Sequence, residues 1–103
     1  MATYYVSHAY GGNMEKYNDA KKVTHDLQIK QPQACFLCPL MVFSHIGYGE
    51  IGYDTEMELC LDLLSLCDGL IVAGKEISYG MRREIEFAKM VGMEVRYLES
   101  QNT

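Results

Sequence analysis

Four short apolar or β-branched segments alternate with three segments of helical period. That alternation predicts an α/β fold: a four-stranded parallel sheet with helices on both faces. Glycine, proline and asparagine punctuate most of the boundaries, as turns between such elements require. The chain has 103 residues, of which 49% are hydrophobic, enough for one core and one domain spanning 1–103. Right-handed crossovers make a flavodoxin-like or Rossmann-like three-layer sandwich, with strand order 2-1-3-4, the expected architecture.

Thr3 to Ser7 is β-branched and aromatic and reads as the first strand. Gly11-Gly12 breaks it, and Asn13 caps a helix running to about Ile29. Tyr17, Ala20, Val23, Thr24 and Leu27 recur in it at helical spacing. Gln31-Pro32 ends that helix, and Ala34 to Leu37 forms a second, apolar strand. Residues 39–54 form a long connection rich in glycine and aromatics, and long loops in compact domains are commonly functional. Thr55 and Glu58 have the spacing of a capping box. The helix that follows is expected to bury Leu59, Cys60, Leu63, Leu64 and Cys67. Asp68-Gly69 turns into the third strand, Leu70 to Ala73. Gly74 and Gly80 bracket a second irregular loop. The last helix runs from about Met81 to Val91 and stops at Gly92, before a final strand from Met93 to Leu98.

The formal net charge is −5, which argues against a broad nucleic-acid surface but leaves room for a small phosphate site. No apolar stretch approaches the roughly 20 residues of a membrane helix, so no membrane partner is expected. The N-terminus has no basic region followed by an apolar one, which reads as a cytoplasmic protein. Cys35, Cys38, Cys60 and Cys67 then read as reduced thiols. Cys35 and Cys38 lie on a strand in this reading and point to opposite faces, so no metal site and no cofactor is expected.

In this order the crevice lies beyond the carboxyl ends of the first and third strands. Ser7 to Asn13, the 39–54 loop and Gly74 to Glu84 converge there. Glu84 is the sharpest feature. It borders the helical stripe of Met81, Ile85, Ala88 and Val91, which is unusual for a carboxylate. It reads either as a partner of the helix dipole or of an Arg, or as a nucleophile or base aimed into the crevice. Ser78, Tyr79 and Gly80 open the same helix, where a hydroxyl and free N–H groups can hold an anion or simply cap the helix. Arg82 and Arg83 sit in a first turn that disfavours cations; a bound phosphate is one explanation, and solvation or pairing with acids is the other. Gly11 and Gly12 suit a turn that brings backbone close to a ligand, without being a dinucleotide fingerprint. Tyr5 and Tyr10 flank the crevice, as core packing and an exposed turn in the blander reading.

Cys67-Asp68-Gly69-Leu70-Ile71-Val72, then Ser78-Tyr79-Gly80-Met81-Arg82-Arg83-Glu84, then Phe87-Ala88 and Gly92, together resemble the nucleoside 2-deoxyribosyltransferase superfamily. Tyr5-Val6-Ser7-His8-Ala9-Tyr10-Gly11-Gly12 resembles its opening strand and turn. Over nearly the whole chain the likeness is to the small DUF4406 group, common in phages and their bacterial hosts. The resemblance implies that Glu84 is a nucleophile attacking the anomeric carbon of a nucleoside sugar. It implies that Ser78 holds a 5′-phosphate, where an Asp would repel it, and that Tyr5 is the first-strand tyrosine of the site. Tyr5, Ser7, Tyr10, Gly11, Gly12, Ser78, Gly80 and Arg82 would then form the nucleotide-binding set. A homo-oligomer is implied too, although the tail Ser100-Gln101-Asn102-Thr103 offers little with which to reach a neighbouring subunit.

One departure stands out. The superfamily keeps a second acid where this chain has Cys60, and thiols are poor substitutes for it. Either Glu50 or Asp54 stands in, or the site binds without turnover. The sequence therefore carries two functional readings. One is cleavage or transfer of the N-glycosidic bond of a 5′-phosphorylated nucleoside; the other is an inert domain that sequesters a signalling nucleotide, as a phage anti-defence protein would. A vestigial crevice in an interaction domain is the third and blandest reading.

Overall fold

The computed structural model describes residues 1–98; the tail from Ser100 lies outside them. The elements are β1 (Thr3–Ser7), α1 (Met14–Lys30), β2 (Cys35–Leu37), α2 (Pro39–Val42), α3 (Tyr53–Ser65), β3 (Gly69–Val72), α4 (Tyr79–Met90) and β4 (Glu94–Tyr97). The four strands are all parallel in the order β2-β1-β3-β4, as the alternation and right-handed crossovers predict. Helices flank the sheet, giving a Rossmann-like three-layer fold. Among the described residues no helix is long and apolar enough to cross a membrane.

Side-chain alternation along the strands divides the core in two. Tyr5, Leu70 and Val72 pack with Leu64 of α3 and with Met81, Ile85 and Ala88 of α4. Val6 and Ile71 point the other way and pack with Ala20 of α1, Phe36 and Ala73. The same parity separates the adjacent tyrosines: Tyr4 stacks on Phe36 at 5.6 Å, whereas Tyr5 is wholly buried on the α3/α4 face.

Several boundaries differ from the sequence reading, each for a local reason. The 39–54 connection begins with α2, because Pro39 is preset for a first helical turn and Leu40 and Met41 gain packing against the α1-side core. Cys38 therefore leaves the strand and becomes the N-cap of that helix. α3 starts at Tyr53, not after Thr55, so no Thr55–Glu58 capping box forms. Gly52 takes the N-cap position at φ +87°, and the earlier start lets the Tyr53 ring stack on Tyr79 at 6.2 Å. Met57 joins the buried face of α3, while Leu59, Cys60 and Leu63 are half-buried. α4 likewise starts at Tyr79, behind the Ser78 cap. Val91 follows its last turn and is 55% exposed, outside the stripe it was expected to extend. β4 is shorter than Met93 to Leu98, although the Leu98 N–H still donates to Val72 O at 2.9 Å.

Candidate functional site

The site grows from the period of a strand and that of a helix. Tyr5 and Ser7 are two residues apart on β1 and so share the α3/α4 face. In α4, Met81, Glu84, Ile85 and Ala88 form the buried stripe against that face. Glu84 thus arrives opposite Tyr5 and Ser7 near the carboxyl end of β1. The Tyr5 hydroxyl donates to Glu84 Oε2, and the Ser7 hydroxyl donates to Oε1 at 2.6 Å. Glu84 is only 6% exposed. Burial pushes its carboxyl above the ordinary carboxylate range, and the Ser7 and Tyr5 hydrogen bonds oppose that rise. Tyr5 is held well above its own usual value, first by burial and then by the Glu84 charge, so it acts as a neutral donor.

The blander reading of Glu84 needed an Arg or the helix dipole. Among the described residues Glu84 has no ion pair, and both of its oxygens receive hydroxyl donors from β1. Arg82 is exposed and turned away, because two positions on a helix are about 200° apart. It does not line the cavity described below. Arg83 reaches only Asp54, at 4.0 Å. Asp68, the acid before β3, accepts from the Thr3 N–H at 2.7 Å and ties the start of β1 to that turn.

Glu84 lies in the wall of a cavity of about 590 Å³. Of the sequence-selected residues, Tyr10, Gly11, Ser78, Gly80 and Glu84 line it. Tyr5 and Ser7 stand beneath it as supports of the carboxylate. Gly12 sits behind Tyr48: its φ is +79°, and a Cβ there would lie 3.0 Å from that ring. Ser78 accepts from the Met81 N–H at 3.2 Å, so its hydroxyl caps α4 as well as facing the cavity.

Cys60 is also in the wall. Its thiol is half-buried and is pushed up to about 11, chiefly by burial. Neither proposed stand-in reaches the cavity lining. Glu50 is exposed and accepts from the Gly47 N–H at 2.8 Å, and Asp54 is exposed beside Arg83. The second carboxylate that does line the cavity is Glu56, one turn before Cys60 on α3. Sequence reading missed it because the helix was begun three residues late. The four-residue spacing from Glu56 to Cys60, on one helical face, was the available signal.

The chain matches, over residues 2–98, a family model described as a domain of unknown function, DUF7768. The protein belongs to the DUF7768 family. No curated protein and no solved structure matches it.

The DUF7768 domain also presents groups that sequence reading did not select. The imidazole of His8 is almost enclosed: Nδ1 lies 2.8 Å from Ala9 O, and Nε2 lies 2.7 Å from Asp19 Oδ2. A Cβ on Gly74, whose φ is +92°, would stand 2.9 Å from that Nε2, so glycine is needed there on both counts. Tyrosines form the lip. Tyr10 meets Tyr17 at 5.9 Å and Tyr48 edge-on at 5.6 Å, and the stacked Tyr53–Tyr79 pair comes from the starts of α3 and α4.

Proposed function

We propose that this domain binds a nucleoside or nucleoside 5′-phosphate and cleaves or transfers its N-glycosidic bond, with Glu84 as the nucleophile. The observation that carries this reading is a buried carboxylate in a cavity wall, with a hydroxyl donor on each oxygen and, among the described residues, no ion pair. A structural carboxylate at such burial is ordinarily neutralised by a paired charge. One held by two neutral donors keeps lone pairs for a reacting atom and has a fixed direction of attack.

In the proposed reaction a Glu84 oxygen attacks the anomeric carbon. The carbon–nitrogen bond breaks, and the base leaves with its electron pair and takes up a proton. A second base or water then displaces Glu84 from the sugar, so configuration is retained. Tyr5 and Ser7 position the carboxylate. The 5′ end of the sugar would sit at the start of α4, beside Ser78 and the first free N–H groups of the helix.

A second reading has its own supporting observation. Cys60, a half-buried thiol held above its ordinary value, stands at the position where the resembled enzymes keep an acid. Without an acid in that position the domain would bind the nucleotide and keep it intact. Chromatography of nucleosides and nucleoside monophosphates after incubation separates the two. Release of free base, lost in Glu84→Gln, supports turnover. Ligand recovered unchanged after heat release supports sequestration, and no thermal shift with any of them overturns both.

A further inference from the structure

The cavity says more about its ligand than Glu84 does. Five tyrosines line it, and among the described residues its lining holds two carboxylates, Glu84 and Glu56, and neither lysine nor arginine. Glu84 is occupied by Tyr5 and Ser7. Glu56 is half-buried, and among the described residues it makes no ion pair and no side-chain hydrogen bond. It sits within a turn of Tyr53, whose ring stacks on that of Tyr79 with the planes 28° apart. Both rings remain substantially exposed. The lip therefore combines a flat aromatic platform with an acceptor-only side chain one helical turn away.

We infer that this lip takes the base of an uncharged nucleoside, and that Glu56 selects a base bearing an exocyclic amino group. This rests on the nucleoside reading above and narrows it. An aromatic platform accepts any base, because every base has a π-face. Selection must come from the polar group beside it. A carboxylate accepts hydrogen bonds and cannot donate them, so an amino-bearing base satisfies it and a keto group at the same position faces it lone pair to lone pair. A phosphate brings further negative charge into a cavity whose lining, among the described residues, holds two carboxylates and neither lysine nor arginine, its one histidine, His8, being held by Asp19; this disfavours the nucleotide against the nucleoside.

Titration calorimetry with adenosine, inosine and adenosine 5′-monophosphate tests this, with cytidine and uridine as a second amino/keto pair. Adenosine is expected to bind about tenfold more tightly than inosine, and cytidine than uridine, the effect of one unpaired acceptor. Adenosine is also expected to bind more tightly than its monophosphate. Glu56→Gln should shrink both preferences, because the amide can donate as well as accept, and Tyr79→Ala should weaken all the nucleosides alike. Both positions face the cavity lip, and circular dichroism confirms that the variants are folded. Equal affinity for adenosine and inosine, preference for the monophosphate, or preferences unchanged in Glu56→Gln would each overturn the inference. Its fate is separable from that of the reaction. Base released without an amino preference sinks the inference alone, and adenosine preferred but recovered intact sinks turnover alone.

Discussion

The two faces of the sheet are built from the same strands and do opposite work. On the α1 side Val6, Ile71, Ala73 and Phe36 meet Ala20, and the buried set is apolar throughout. On the α3/α4 side the alternate residues Tyr5 and Ser7 bring hydroxyls into the core, and α4 answers with a carboxylate. A one-residue step along β1 thus separates packing from chemistry. Apolar burial on the first face stabilises the fold. The polar cluster on the second has a desolvation cost that hydrogen bonds offset only in part, as the raised Glu84 carboxyl indicates. A core group that weakens the fold yet is held so carefully is what a functional site looks like.

The contrast can be broken from either side. The largest effect is expected for Glu84→Gln, which should lower base release by at least about a thousandfold, measured by chromatography, while the protein stays folded. Next is Ile71→Ala on the opposite face. Its apolar surroundings predict a loss of about 2–4 kcal/mol in urea unfolding, with ligand affinity unchanged.

Glu84→Gln should also reveal the cost of the buried carboxyl. The folded-state pKa is raised, so the folded protein holds this proton more tightly than the unfolded chain does. Stability is fully retained below the ordinary carboxylate range and is lost as pH rises through the window up to the raised value. Thermal melts should therefore show the variant gaining on the parent as pH climbs through that window. A parent whose stability rises over the same window would contradict this. Smaller effects are expected from backbone and cap. Gly74→Ala should cost about 1–2 kcal/mol through its positive φ and the His8 ring. Ser78→Ala should cost about 1 kcal/mol through the lost α4 cap, and calorimetric melting checks both.

Much of this was legible in the residues. Strand composition and the glycine punctuation located all four strands, and the connection rule gave their order. Glu84 was visible as a carboxylate on the edge of an apolar stripe. Its partners were harder to assign, because Tyr4 and Tyr5 are chemically alike. Only the register of β1, with Tyr5 opposite Leu70, decides which ring meets α4. Arg82 was drawn toward the site by its place in the first turn, but the helical angle from Glu84 turns it outward. Glu56 and the Tyr53–Tyr79 pair were hidden by an attractive but unused capping pattern at Thr55. Local cap chemistry predicted one start for α3, and ring stacking against a distant helix favoured another. Tertiary contacts of that kind leave no local trace.

In the proposed reaction Glu84 bonds covalently to a sugar. Intact-protein and peptide mass spectrometry after rapid acid quench of the protein with a cleaved nucleoside tests it most directly. A sugar-mass adduct is expected on the peptide containing Glu84, absent from Glu84→Gln. Free base produced with no adduct on that peptide in quenches across the turnover time, or an adduct that persists in Glu84→Gln, would contradict it.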